Sequence, residues 1–344
     1  MAKDIIPNYS NEDFLEKVRK HNLEVAKTGK GKFQYNAVFI DLNAVKELPS
    51  GEKIGVCCNF DCPGCFKTSE KKYCLTNRLN FNEIKQIIKF AKECGAKTIV
   101  YAGLGEPMLD QDFWNALNFA HKQNLWTIVF TNGTLITKDN AKILFKKKTI
   151  VIAKLNTLDQ NKQDLMVGGI KGASKRMLEG IKHLLEAGFT APRLCIDSYI
   201  SKENAKDLKD VLRFCRKNNI IPYFESFITK NLDESDYKNK ILAQKELDKL
   251  FLDLQKIDVD EFNLKTKLNK GMRVYGQNPC IKYWTMFSVR ANGNVALCVS
   301  DNEIIGNIRK NPLEKILVAN NKKILDRYKF GCNCSITVSD KVEK

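Results

Sequence analysis

Histidine is nearly missing from this chain: His21, His121 and His183 are the only three in 344 residues. Each falls in a helical pattern with no companion at ligand spacing, which argues against a histidine-built zinc site. Long apolar runs are missing too. No stretch reaches the roughly 18 apolar residues that a membrane-spanning helix takes, so no membrane span is expected. The opening Met1-Ala-Lys-Asp-Ile-Ile-Pro7 has none of the apolar core of a secretory signal, and the expectation is a cytoplasmic protein. No arginine-rich arm is present, and no basic strip is interleaved with aromatics. The 57 Lys+Arg against 40 Asp+Glu, a formal net charge of +17, is therefore an excess of scattered lysine. The densest run, Lys146-Lys147-Lys148, closes a helical pattern, where cations suit the helix dipole. The pattern argues against nucleic acid as a partner. Solenoid repeats are absent as well.

What the chain does have is cysteine. Twelve thiols in a long sequence without an export signal point to metal or redox chemistry rather than to a disulfide scaffold. With 43% hydrophobic residues, a sizeable core is expected. Residues 11–27 read as an amphipathic lead-in helix and 37–42 as a short strand. Apolar, β-branched runs then recur at 53–57, 98–103, 125–131, 149–155, 193–199 and 221–227. Helical patterns separate them near 80–94, 111–123, 137–147, 173–188, 203–218 and 243–257. Asn80 and Ser201 are placed as helix caps, and Gly95 and Gly188 as helix stops. Six strand–helix units in series predict an α/β chain with a parallel sheet covered on both faces, doubly wound or barrel-like. Functional residues in either fold gather just past the strand C-termini. After about residue 260 the rhythm stops. Residues 284–291 and 294–299 read as a hairpin turned at Asn292-Gly293, followed by a helix near 312–327.

Cys58-Asn-Phe-Asp-Cys62-Pro-Gly-Cys65 places three cysteines at C-x3-C-x2-C after the run at 53–57. Thiolates are the natural ligands of iron–sulfur clusters. Three of them on a four-iron cube leave one iron open, as a catalytic zinc keeps an open position. A structural zinc knot and a closed electron-transfer cluster are the alternatives, with a zinc-binding nucleic-acid protein as the corresponding function. No fourth ligand follows at finger spacing. Cys57 is read as a strand residue. A second group, Cys280-x12-Gly293-x4-Cys298 with Cys332-x-Cys334, can fold around one further metal centre, iron–sulfur or zinc.

On the C-x3-C-x2-C spacing, the chain resembles the radical S-adenosylmethionine (SAM) superfamily over roughly residues 50–230. Several further features carry the resemblance: Gly103-Leu-Gly105-Glu106-Pro107 after the second run, Thr131-Asn132-Gly133 after the third, and Lys154-Leu-Asn156 after the fourth. Asp197 on the fifth run and Asn204 soon after belong with them. The resemblance implies a partial (β/α)6 TIM-like barrel and an enzyme in which Cys58, Cys62 and Cys65 hold a 4Fe–4S cluster. SAM would chelate the open iron and be cleaved to a 5′-deoxyadenosyl radical that abstracts hydrogen from a peptide or small molecule. The implied SAM contacts are Phe66, Gly103, Gly105, Glu106, Thr131, Asn132, Lys154, Asn156 and Asp197. Glu106 would take the ammonium, Lys154 the carboxylate and Asp197 the ribose. Glu225 is placed near substrate. Gly64 stands where the family usually has an aromatic, and Phe66 is expected to supply that ring.

The hairpin with Cys280, Cys298, Cys332 and Cys334, together with Gly306-Asn307-Ile308, is similar to the auxiliary-cluster module SPASM or its short form, twitch. This implies an auxiliary 4Fe–4S cluster in a small C-terminal module of β-hairpin plus helix, although the family's final pair is C-x2-C. The domains follow as a lead-in over 1–45, a radical SAM core over 46–260 and the module over 270–344. Oxidation, cross-linking or epimerisation are the candidate reactions, and RNA modification or cofactor biosynthesis the alternatives. A flavodoxin or ferredoxin would be the electron donor. The ending Val-Glu-Lys lacks the Gly-Gly tail of the family's molybdenum-cofactor cyclase, which weighs against that member.

Overall fold

The structure is a computed structural model that describes residues 12–63, 65, 76–102, 105–226, 239–264, 285–299 and 303–330. Helix α1 (Glu12–Thr28) leads into strand β1 (Ala37–Ile40), and a hairpin of β2 (Ala44–Glu47) and β3 (Lys53–Val56) follows. Then come α2 (Phe81–Glu93), β4 (Thr98–Tyr101), α3 (Phe113–Lys122), β5 (Trp126–Thr131), α4 (Lys138–Lys146) and β6 (Thr149–Lys154). Helices α5 (Gln160–Met166) and α6 (Ala173–Glu186) precede β7 (Leu194–Ile200), α7 (Leu208–Lys217), β8 (Ile221–Ser226) and α8 (Gln244–Phe262). The C-terminal elements are β9 (Met286–Val289), β10 (Asn294–Ala296), β11 (Gly306–Asn307), α9 (Leu313–Ala319) and α10 (Asn321–Phe330).

One nine-stranded sheet runs β11-β10-β9-β1-β4-β5-β6-β7-β8. Strands β1 and β4 to β8 are parallel and in chain order, the partial (β/α)6 barrel, which stays open between its edges. The first barrel strand is β1, a correction to the run at 53–57. That run pairs antiparallel with β2 in a separate two-stranded sheet. The physical reason is burial. Ala37-Val-Phe-Ile40 is buried at every position, as a doubly covered strand must be. Lys53-Ile-Gly-Val56 is partly exposed, and its neighbours Lys46 and Glu47 are solvated. The span expected as a lead-in therefore contains a central sheet strand.

The helices bury faces set by their apolar period. In α2, Ile84, Ile87, Ile88 and Ala91 are buried at helical spacing, and Asn80 with Glu83 forms a reciprocal capping box. In α7, Leu208, Val211, Leu212 and Cys215 do the same. That helix starts at Leu208 rather than near 203. Ser201 caps nothing there; instead the Asn204 side chain accepts from the Ser201 N–H, closing a local turn. Among the described residues no helix is long and apolar enough to cross a membrane.

The C-terminal hairpin forms as expected, with β9 antiparallel to β10 and Gly293 at φ +82° in the turn. It is continuous with the core sheet because β9 pairs parallel with β1. Arg290, just past β9, lies 3.3 Å from the buried Asp41 carboxylate, just past β1. Arg309 reaches across to Glu83 at the start of α2. Tyr35 meets Phe287 edge-on at 4.8 Å. Paired backbone, charge and aromatic contact thus fix the module on the barrel.

Candidate active site at the strand ends

The cysteine loop leaves β3 and is clamped from two sides. On one side Gly105 lies so close that a Cβ there would sit 1.7 Å from the Cys57 carbonyl oxygen, and Glu106 N–H donates to that oxygen at 2.8 Å. Only glycine tolerates such an approach. On the other side Asp61 N–H donates to the Val167 carbonyl at 3.3 Å. Gly168, at φ +100°, passes with its missing Cβ 2.6 Å from the Asp61 carbonyl. Phe60 packs with Val167, Ala173 and Met177, and Cys58 and Cys62 lie against that cluster. Cys57 is buried and disulfide-bonded, so its sulfur is not part of the triplet.

Cys58, Cys62 and Cys65 are partly buried and not disulfide-bonded. Burial pushes the Cys58 thiol up to about 11, and the neighbouring Glu106 and Cys65 add to it. Burial likewise pushes Cys62 up to about 12, with Cys65 and Cys58 adding repulsion. Cys58 and Cys62, half-buried and repelled by neighbouring negative charge once ionised, become thiolates readily only beside a compensating cation. Donors are already in place: Phe60 N–H points at Cys58 Sγ at 3.4 Å and Asn132 Nδ2–H at 3.8 Å. This donor set fits an iron–sulfur cluster. Among the described residues no three Cys, His, Asp or Glu side chains gather as ligands of a single metal ion.

Glu106 is buried and follows β4. Its carboxylate accepts from Thr131 Oγ1 at 2.9 Å, Asn132 N–H at 2.7 Å and Met108 N–H at 3.1 Å. Burial raises its pKa to about 7 against the pull of those donors. Glu106 and Thr131 therefore join the β4 and β5 ends. Asn156 is also engaged internally: its Oδ1 accepts from Tyr199 N–H at 3.2 Å and its N–H donates to Gln163 Oε1 at 2.9 Å. Asn204 Nδ2 binds the Asn156 and Tyr199 carbonyls. Both asparagines brace the loops after β6 and β7.

Register brings a charged group together at the next three strand ends. Lys154 stands opposite Asp197 across β6 and β7, and Tyr199 opposite Glu225 across β7 and β8. Lys154 Nζ lies 2.6 Å from Asp197 Oδ2 and 3.4 Å from Glu225 Oε1. Burial works against the lysine's charge, but the two carboxylates outweigh it and hold its pKa above the ordinary range. Burial, with Glu225 adding to it, raises Asp197 to about 7, and Lys154 opposes this. Asp197 Oδ1 is buried without a hydrogen-bond partner, an acceptor open to a ligand hydroxyl. Beside this group a cavity is lined by Pro63, Leu165, Met166, Tyr199, Ser201 and Glu203.

The sequence treated Lys154, Asp197 and Glu225 separately; their union depends on strand register. Asn59, Thr134, Gln163 and Tyr199 were not anticipated. Helix α5, which carries Gln163, was missed because it is only seven residues long. Phe66, Gly103, Cys280, Cys332 and Cys334 lie outside the described residues. Cys298 is buried just past β10.

Comparison with known proteins agrees with this geometry. Residues 53–215 match the Radical SAM superfamily, and residues 280–335 match SPASM, an iron-sulfur cluster-binding domain. The GTP 3′,8-cyclase of Aliarcobacter butzleri is 29% identical over 201 residues, 55% of this chain and 60% of that protein. An AdoMet-dependent heme synthase of Oleidesulfovibrio alaskensis is 26% identical over 160 residues, 46% of this chain and 39% of that protein. The chain thus aligns with 39% to 60% of these relatives' lengths. The crystal structure of Streptococcus suis SuiB bound to precursor peptide SuiA superposes with a TM-score of 0.61 at 17% identity, over 95% of this chain and 71% of that one. At that identity it shows the fold.

Proposed function

The chain belongs to the radical SAM superfamily and carries a SPASM domain, and from that premise we propose that it uses SAM to abstract hydrogen from a peptide or small-molecule substrate. Cys58, Cys62 and Cys65 would hold a 4Fe–4S cluster, and three protein ligands would leave its fourth iron for SAM. When bound, cluster and SAM together supply the chemistry: one electron enters the sulfonium, the C5′–S bond breaks, and the 5′-deoxyadenosyl radical takes a substrate hydrogen. The protein's own residues bind, orient and exclude water.

Asp197 Oδ1, buried and without a protein partner, is suited to a ribose hydroxyl. Lys154 has three N–H donors, and the contacts to Asp197 and Glu225 use two. The third is assigned to the SAM carboxylate. Glu225, partly exposed near the end of β8, is assigned to substrate contact. Gly105 and Gly168 let backbone press on the cysteine loop and fix its shape. Cys280, Cys298, Cys332 and Cys334 are assigned an auxiliary 4Fe–4S cluster, which can accept the electron left on substrate after hydrogen abstraction. A flavodoxin or ferredoxin fits the role of donor to the first cluster.

The observation that carries this reading is the triplet of half-buried thiols with N–H donors aimed at one of them. The test is anaerobic reconstitution followed by reduction with dithionite in the presence of SAM, with 5′-deoxyadenosine quantified. Wild type is expected to form it, and alanine at Cys58, Cys62 or Cys65 to abolish it. Formation by the alanine variants would overturn the assignment.

A further inference from the structure

Asn132 takes part in a closed ring of side chains beside the cysteine loop. Its Nδ2 donates to Asn59 Oδ1 at 2.8 Å. Asn59 Nδ2 donates to Thr134 Oγ1 at 2.9 Å. Thr134 Oγ1–H returns to Asn132 Oδ1 at 2.7 Å, and Thr134 N–H donates to the same oxygen at 3.0 Å. The ring fixes which end of the Asn132 amide faces the loop, an orientation that is ambiguous for an isolated asparagine. Oδ1 is committed to Thr134, so Nδ2 must turn toward Asn59 and Cys58. Its second hydrogen points at Cys58 Sγ at 3.8 Å. The backbone holds Asn132 in place as well, since its N–H donates to buried Glu106. The turn itself sits tightly on α6, where a Cβ at Gly180 would lie 2.0 Å from the Gly133 carbonyl.

We infer that Asn132, oriented by Asn59 and Thr134, is a positioning residue that tunes the reduction potential of the SAM-binding cluster by hydrogen bonding to the Cys58 thiolate. The inference rests on the reading of Cys58, Cys62 and Cys65 as cluster ligands. An N–H directed at a ligand sulfur favours the more negatively charged reduced cluster over the oxidised one. One electron enters from a low-potential donor, and no bond to the protein forms or breaks. Removing the donor therefore lowers the potential and makes the cluster harder to reduce. Phe60 N–H also reaches Cys58 Sγ but comes from the main chain. Asn132 is the side-chain contributor that substitution can remove.

The experiment is an anaerobic redox titration of the reconstituted full chain, followed by electron paramagnetic resonance. The signal that changes on addition of SAM reports the cluster with the open iron, which separates it from an auxiliary cluster. Asn132→Ala is expected to disfavour reduction about tenfold, a downward shift of about 59 mV for one electron. Asn132→Asp, which aims an acceptor at the sulfur, should lower it further. Thr134→Val removes the hydroxyl link but keeps the residue-134 N–H on Asn132 Oδ1, so its shift should be small, well below that of Asn132→Ala. An unchanged or raised midpoint in cluster-loaded Asn132→Ala overturns the inference. If that variant loses iron, Asn132→Asp decides, and an unchanged or raised midpoint there overturns the inference. Failure of wild type itself to bind a cluster would sink the underlying reading, a separate result.

Discussion

Replacing Lys154 with methionine tests the charged group at the ends of β6, β7 and β8. The substitution keeps most of the side-chain volume and removes a cation 2.6 Å from Asp197 Oδ2. The Asp197 side chain is 3% exposed, whereas that of Lys154 is 33% exposed. Breaking a buried pair by deleting one partner costs about 3–5 kcal/mol. With the lysine a third exposed, the lower end applies, ~3 kcal/mol, roughly a hundredfold in the folding equilibrium. The pH dependence has a definite sign. Asp197 titrates near 7 in the fold against an ordinary 3.8. Between those values the folded state holds a proton that the unfolded chain has released, so this group's contribution to stability falls as pH climbs and levels off above about 7. Deleting Lys154 removes an influence that lowers the Asp197 pKa, and the decline then continues beyond 7. The deficit of Lys154→Met relative to wild type should therefore be larger at pH 8 than at pH 5.5, read as the thermal midpoint of the anaerobic holoprotein. Adding Asp197→Asn should restore much of the loss, because no buried charge then lacks its cation. A variant as stable as wild type at pH 8, a deficit larger at pH 5.5, or no recovery in the double variant would each refute the reasoning.

Gly105→Ala forces a Cβ into the Cys57 carbonyl. It should cost about 1–3 kcal/mol through backbone displacement, and the visible consequence is reduced iron retention on anaerobic gel filtration. Arg290→Met removes the guanidinium beside Asp41, which burial raises to about 6 against the pull of Arg290. A loss of ~3 kcal/mol is expected, milder at pH 5 than at pH 8, with faster proteolysis near the β9–β10 hairpin as the readout. Cys298→Ala should lower bound iron while leaving 5′-deoxyadenosine formation without substrate; unchanged iron would reject Cys298 as a ligand.

Much of the barrel was legible because its strands are continuous apolar runs and its helices keep a clean apolar period. Ile84, Ile87, Ile88 and Ala91 on α2 are the clearest case. The first strand was misassigned for a physical reason: two short apolar runs compete, and which one enters the sheet depends on burial of both faces, a tertiary property. The cysteine loop was legible because its three cysteines are close in sequence. Lys154, Asp197 and Glu225 were legible as residues but not as a group, because contacts 43 and 71 residues apart arise from register alone. The same holds for the Asn59–Asn132–Thr134 ring. Glu106 shows the converse. Its motif drew attention to the residue, and the structure gives its carboxylate to Thr131, Asn132 and Met108.

The account depends on an iron that Cys58, Cys62 and Cys65 leave available to SAM. The most direct measurement is electron–nuclear double resonance on the reduced, anaerobic protein with SAM labelled by nitrogen-15 at its amino group. The account predicts a nitrogen-15 coupling to the cluster signal that disappears when SAM is left out. A cluster signal with no such coupling, and with a protein ligand on its fourth iron, would contradict it.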